Sequence, residues 1–264
     1  MLASVEPFPN VARAGRRIGH RVEWHPSIGS TNDRARALLD EPDGAGTAVV
    51  ADEQLAGRGR RGRTWASPPG VNLMVSVGFR PHLAAADAWM LGQAVALAAR
   101  SACMADAEIG LKWPNDLVSV DGRKLAGVLV ETAMHDAELT AAVVGIGINV
   151  NWRVADMPSE LTTSATSLAE LSGHEVDRRA LLDRLLTELD AEIVAIESGT
   201  SPLERYRAAC TTVGQRVTVE IGTRSLVGLA TGLDAHGGLV LETDEGRLTV
   251  TSGEVVRTRP ELSR

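Results

Sequence analysis

Residues 57–63 read Gly-Arg-Gly-Arg-Arg-Gly-Arg, four arginines set among three glycines. Glycine allows positive φ and leaves space beside the backbone, while successive amide N–H groups and planar guanidinium forks match the oxygens of a phosphate. The same string also suits a solvated basic loop or a nucleic-acid contact. The balance of the whole chain bears on that choice, because its formal net charge is −7. Proteins devoted to duplex nucleic acid are usually basic overall or carry a broad basic face. Positive charge gathered in one loop of an acidic chain favours a small anionic ligand such as a nucleotide.

Other residues carry suitable chemistry, each beside a plainer structural reading. Ser30, Thr31 and Asn32 can cap a helix or supply polar tips to an otherwise apolar pocket, and Gln54 can do the latter from a loop. Lys112-Trp113-Pro114-Asn115-Asp116 has the composition of a turn. It also offers Lys112 for a phosphate or for Asp116, and Asp116, with Asn115 beside it, as a carboxylate for Mg²⁺. Lys124 opens an apolar stretch, Lys-Leu-Ala-Gly, with Glu131 close behind. A cation there is costly unless it faces a ligand, although a lysine at a strand end after the turn Asp121-Gly122-Arg123 is common. Gly127, Gly145 and Gly147 permit close backbone approach or mark strand bends, and Asn149 either meets a ligand or ends its strand. Trp65 is a loop anchor or a stacking ring.

In this order, the Arg-rich loop with Trp65 and the segments at 30–32, 112–116, 124–131 and 145–149 resemble the catalytic domain of biotin protein ligases. The motifs cover residues 24–152, and the general organisation extends the resemblance to the end of the chain. It implies a catalytic part over residues 1–211 and an SH3-like C-terminal domain over residues 212–264. The implied reaction joins biotin to ATP as biotinyl-5'-AMP with release of pyrophosphate. Transfer then follows to a lysine of the biotin carboxyl carrier domain of an acyl-CoA carboxylase.

The resemblance also implies residue roles. Lys124 and Arg60 are expected to be catalytic. Ser30, Thr31, Asn32 and Gln54 would meet biotin, together with Gly57, Arg58, Arg60 and Lys124 and with the bare backbone at Gly127, Gly145 and Gly147. Arg58, Arg60, Arg61 and Gly62 would meet ATP or the adenylate, with Trp65 near the adenine and Lys112, Asn115 and Asn149 nearby. Asp116 would associate with Mg²⁺. Members that double as repressors carry an N-terminal DNA-binding domain of some sixty residues; the stretch before Trp24 is too short for one, so a monofunctional enzyme without DNA binding is expected. A monomer is expected too. Lipoate-type ligases share the fold and the adenylation chemistry, and a nucleic-acid-binding module using the Arg loop is the reading from another class. Aromatic residues make up only 3% of the chain, which supplies few platforms for base stacking. A P-loop sequence is absent, and Gly145-Ile-Gly is too little for a dinucleotide fingerprint.

These groups need elements to hold them. The 264 residues, 44% of them hydrophobic and 23% charged, have the length and balance of a soluble protein with one large and one small domain. The pattern predicts an α+β fold, with a mixed central sheet and helices followed by a small β-barrel. Strands are expected at 47–51, 72–79, 117–120, 124–132 and 139–149. Helices are expected at 33–39, 86–105, 167–171 and 178–196, the last with leucines at helical spacing. Short runs at 216–221, 225–231, 239–243 and 248–251 with glycine-containing turns predict the barrel. Residues 1–20 read as a loose lead-in without a secretory signal, and no apolar run approaches the roughly 20 residues of a membrane span. With two cysteines, Cys103 and Cys210, neither a metal cluster nor a disulfide is expected, and a cytoplasmic location is expected.

Overall fold

The computed structural model describes Phe8, residues 15–65 and residues 68–257; the lead-in expected over residues 1–20 lies largely outside the described residues. The larger sheet has seven strands: β1 (Val22–His25), β2 (Ala48–Ala51), β3 (Leu73–Phe79), β4 (Ile109–Lys112), β5 (Asp116–Ser119), β6 (Lys124–His135) and β7 (Glu138–Ile148). Their order is β1-β2-β3-β7-β6-β5-β4, parallel at β1–β2 and antiparallel elsewhere. The sheet is therefore mixed, as the sequence predicts. Strands β1 and β4 were not foreseen. Each has four residues, and each becomes a strand only by pairing with a neighbour.

Five helices accompany this sheet: α1 (Thr31–Leu38), α2 (Trp89–Cys103), α3 (Leu168–Ser172), α4 (Arg178–Glu197) and α5 (Leu203–Ala209). The first four were expected, and α5, only seven residues long, was not. Helices α2 and α4 pack on one face of the sheet and α1 on the other. Leu181, Leu182, Leu185, Leu186, Leu189 and Ile193 of α4 are all buried in the main core, as their spacing predicts. Asp177 caps α4 by accepting hydrogen bonds from the amides of Arg179 and Ala180 at 2.8 and 3.3 Å.

Alternation along the strands separates the two faces. On β2, Ala48 and Val50 join the main core while Val49 packs under Ala35 and Leu38 of α1. On β3, Leu73, Val75, Val77 and Phe79 face the main core. Ser76 and Gly78 are left for the opposite face. On β7, Val144, Ile146 and Ile148 go to the core, leaving Gly145 and Gly147 for the other side. One face is bulky throughout and the other is bare around Ser76, Gly78, Gly145 and Gly147, with Val49 and Val143 packed under α1. A Cβ at Gly78 would stand 2.4 Å from the carbonyl oxygen of Ala35, so α1 lies directly on the strand backbone.

The C-terminal part is a five-stranded antiparallel sheet of SH3-like type. It comprises β8 (Arg216–Ile221), β9 (Arg224–Leu233), β10 (Leu239–Thr243), β11 (Gly246–Val250) and β12 (Glu254–Arg257), in the order β11-β10-β9-β8-β12. Strand β12 was not foreseen. It is a four-residue piece whose partner, β8, lies more than thirty positions earlier in the chain. The turn between β9 and β10 inserts against the larger part of the molecule, where the Trp113 indole donates to the Gly237 carbonyl at 3.0 Å. Cys103 and Cys210 are buried and unbonded. Among the described residues no helix is long and apolar enough to cross a membrane.

Gly78→Ala is expected to destabilise the protein by about 1–3 kcal/mol, because the new methyl forces α1 off the sheet. Gly92→Ala on α2, where a Cβ meets nothing within 4 Å, is expected to gain up to ~1 kcal/mol from helix propensity. Urea denaturation of the pair reads both signs.

Candidate active site

One cavity of about 620 Å³ opens on the bare face of the larger sheet, between α1, the Arg-rich loop and the edge of the C-terminal sheet. It gathers most of the predicted residues from widely separated parts of the chain. Ser30, Thr31, Asn32 and Gln54 line one end. Arg58, Arg60, Arg61 and Trp65 come from the loop. Lys112, Asn115, Asp116 and Lys124 line the other end, and Gly127, Gly145, Gly147 and Asn149 lie along its walls.

The α1 end is a connected polar network. Ser30 occupies the N-cap position of α1, but its hydroxyl makes no capping bond. Thr31 donates from its amide and its hydroxyl to Gln54 Oε1 at 2.8 and 2.9 Å. Ser76 Oγ, fully buried, lies 2.7 Å from Thr31 Oγ1 and 2.6 Å from Asn32 Oδ1. Asn32 Nδ2 donates to Glu131 at 2.7 Å, and Arg36 pairs with the same carboxylate oxygen at 3.0 Å. Helix capping, the plainer reading of residues 30–32, accounts only for the position of Ser30.

At the opposite end the groups are charged. Lys124 Nζ lies 2.6 Å from Asp116 Oδ1, a charge contact not aligned as a hydrogen bond. The same ammonium is 5.5 Å from the centroid of the Trp65 ring, within cation–π range. Trp65 rests on bare strand backbone. A Cβ at Gly147 would meet its indole at 2.6 Å and one at Gly127 would meet it at 3.1 Å. Arg60 donates to Asn115 Oδ1 at 3.2 Å and to the Gly253 carbonyl at 3.3 Å. Burial pulls its guanidinium below the ordinary value, and attraction to Asp116 opposes that. Asn115 donates to the Val128 carbonyl at 2.8 Å, and Tyr206 supports the turn from beneath by donating to the Pro114 carbonyl at 3.2 Å. Lys112 is the register partner of Asp116 across β4 and β5. Asn149, buried, donates to the Thr166 carbonyl at 3.0 Å.

The loop itself is fastened on both sides. Arg58 makes a two-pronged pair with Asp33 at 2.6 and 2.9 Å. Arg61, with a positive φ of 58°, donates to the carbonyls of Glu220 and Gly222, both at 3.3 Å, and Arg63 pairs with Glu254. Gly57 and Gly62 belong to the loop but do not line the cavity. Gly57 is bare to clear the carbonyl of Trp65, which a Cβ would approach to 2.7 Å, and Gly62 provides a positive φ of 73° in the turn. Their glycine identity serves the loop's own path.

Some lining residues were not foreseen. Ser76 carried a usable signal, as the one hydroxyl on the non-core face of β3 between Leu73 and Phe79. Gly253 and Glu254 carried none, because they reach the cavity from the other sheet. Among the described residues no group of three His, Cys, Asp or Glu side chains could hold a metal ion. Asp116 supplies one hard carboxylate. That suits a Mg²⁺ ion which takes most of its ligands from phosphates and water.

Residues 24–149 match the Biotin/lipoate A/B protein ligase family and residues 212–257 the Biotin protein ligase C terminal domain. The biotin–[acetyl-CoA-carboxylase] ligase of Mycobacterium tuberculosis is 37% identical over 240 residues, covering 88% of this chain and 86% of that protein. The chain belongs to the biotin protein ligase family. Another member, the biotin–[acetyl-CoA-carboxylase] ligase of Paracoccus denitrificans, is 34% identical over 86% of this chain and 96% of its own length. Among solved structures, the biotin protein ligase from Aquifex aeolicus in complex with biotin and ATP superposes with a TM-score of 0.72 at 32% identity, covering 89% of this chain and 97% of that one. Membership in this family sets aside the nucleic-acid-binding reading of the loop.

The Asp33–Arg58 pair makes one end of the loop pH-dependent. The hydrogen bond from Arg58 holds the Asp33 carboxyl below its usual 3.8, so the pair's contribution is complete above that value and is lost as pH falls through the depressed one. Both side chains are substantially exposed, which keeps the effect small. Amide protection factors over residues 57–63 are expected to drop in that acid window, and Asp33→Asn is expected to show the acid-state values already near neutral pH.

Proposed function

We propose that this protein activates biotin with ATP as biotinyl-5'-AMP, releasing pyrophosphate. It then transfers the biotinyl group to a lysine amine on the biotin carboxyl carrier domain of an acyl-CoA carboxylase. The observation that carries this reading is a single cavity with a neutral hydrogen-bonding end and a charged end, joined by bare strand backbone. Biotin has that same division. Its ureido group needs donors and acceptors, its ring and chain need apolar wall, and its carboxylate needs cations.

In this reading the ureido group lies at Thr31, Asn32 and Gln54, with Ser30 beside them. The chain runs along Gly127, Gly145 and Gly147, and the carboxylate arrives near Arg60 and Lys124. Activation requires two anions, a carboxylate and a triphosphate, to come within bonding distance. Fixed cations offset that repulsion and the charge that develops at the α-phosphorus. Lys124 is well placed, because Asp116 holds its ammonium and the Trp65 ring covers it. Arg60 is half-buried, so its charge acts through little intervening water. Arg58, Arg61 and Lys112 attract the phosphates, Trp65 and Asn149 flank the adenine, and Asn115 keeps Arg60 in place. Mg²⁺ held by Asp116 and the triphosphate oxygens would spread the charge of the leaving pyrophosphate. In the second step the lysine amine attacks the acyl carbonyl, AMP departs, and the loop with Trp65 keeps water from competing. Residues 1–211 would form the catalytic part and residues 212–264 the C-terminal domain, which would steady the loop through Gly253 and Glu254.

Pyrophosphate exchange into ATP, run with biotin, with lipoate and with no acid, is expected to require biotin. Exchange supported by lipoate alone would overturn the assignment. Lys124→Ala removes one charge stabiliser and leaves the Asp116 carboxylate unpaired, so a fall of about 100-fold or more in single-turnover adenylate formation is expected.

A further inference from the structure

Asn32 is held on three sides. Its Nδ2 donates to Glu131 at 2.7 Å, its Oδ1 lies 2.6 Å from Ser76 Oγ, and a Cβ at Gly145 would come within 2.2 Å of that same oxygen. Ser76 and Gly145 are register partners on β3 and β7, so Asn32 lies across a rung of the sheet. The orientation of its amide follows from chemistry. An ionised carboxylate has only acceptors, so the face of Asn32 toward Glu131 must be the NH₂, and the carbonyl must turn to Ser76. Arg36 Nη2 lies 3.0 Å from the same carboxylate oxygen.

Each later group in the chain is then fixed. The hydroxyl proton of Thr31 is on Gln54 Oε1 and the single proton of Ser76 goes to Asn32 Oδ1, which leaves the Ser76 oxygen as an acceptor toward the cavity. Gln54 is fixed separately, because the Thr31 amide holds its Oε1 at 2.8 Å and turns its Nε2 away as a donor. With Gln in place of the carboxylate, the bond from Asn32 loses its charge assistance, and once Arg36 releases the oxygen it shares with Asn32 the amide can flip. Its NH₂ would then donate to Ser76, and the Ser76 proton would turn outward. The deep end of the cavity would present a donor where it had presented an acceptor.

We propose that Glu131 is a positioning residue for the acid substrate. Its carboxylate acts through Asn32 to keep the buried Ser76 hydroxyl oxygen as a hydrogen-bond acceptor for a ureido N–H. Glu131 does not itself line the cavity. The inference rests on the reading of the cavity as a biotin site and adds to it the means by which the site's polarity is set. Two donors facing each other in a buried site leave both without a partner, which is costly.

The test is a mutant cycle on the full-length protein, read by calorimetric biotin binding and by pyrophosphate exchange. Glu131→Gln is expected to weaken biotin binding about tenfold while leaving the KM for ATP unchanged, since a bond to a charged partner is lost. In a Ser76→Ala background the same change is expected to cost less than about twofold, because the group it acts through is gone. Asn32→Ala provides a second background with the same expectation should Ser76→Ala fold poorly. Equal effects of Glu131→Gln in all backgrounds, or an effect on ATP as large as that on biotin, would make Glu131 a merely structural residue and overturn the proposal. Wild-type protein that neither binds biotin nor exchanges pyrophosphate would overturn the ligase reading beneath it. Wild-type protein that binds biotin while Glu131→Gln binds it equally well would overturn this inference alone.

Discussion

The arrangement depends on one sheet having two unlike faces. Along β3 and β7 alternate residues are mostly large aliphatic or aromatic groups buried in the core shared with α2 and α4, and the residues between include Ser76, Gly78, Gly145 and Gly147 beside the larger Met74 and Val143. Burying the first set supplies the main apolar driving force for this part of the fold. The bareness of the second set lets α1 and Trp65 come down onto peptide backbone. The cavity is therefore a consequence of register. A one-residue slip of either strand would fill it with valine and isoleucine and empty the core.

That dependence explains what was legible in the sequence. The Gly-Ile-Gly-Ile run and the Leu-x-Val-x-Val-x-Phe alternation encode both faces, and the leucine stripe of α4 encodes its partner, so the central strands and long helices could be read directly. Strands β1 and β12 and helix α5 are short and acquire their form from pairing or packing partners well removed in the chain, a tertiary effect that local pattern does not carry, while β4 is a four-residue edge piece paired with β5 across a turn whose residues dominate the local pattern. The site followed the same division. Its motif residues could be recognised by their resemblance to family motifs, and the fold brings 30–32, 112–116, 124–127 and 145–149 to one cavity. Gly253 and Glu254 come from another sheet altogether, and Asp33 and Glu131 matter through what they hold. Gly57 and Gly62, expected at the ligand, lie in the loop at a close backbone approach and at a positive-φ turn.

The charge of the loop also has to be reconciled with the charge of the chain. A run of four arginines in one short loop would repel itself if left alone. Here Arg58 is paired with Asp33, Arg63 with Glu254, and Arg61 is bonded to two backbone carbonyls, all at exposed or partly exposed positions. Contacts of that kind are worth about 0–1 kcal/mol each. Bonds between guanidinium groups and phosphate oxygens in a partly dehydrated site are roughly twice as strong as neutral ones. Contacts this weak can give way to an anion of higher charge at little expense. Arg60 differs from its neighbours. Its groups are more deeply buried and bonded to neutral oxygens of Asn115 and Gly253, with no carboxylate of its own to release. A half-buried cation with only the attraction of Asp116 to offset its desolvation gains most from an anion beside it, and in the proposed reaction that difference supports placing Arg60, among the four, at the reacting carboxylate and phosphate.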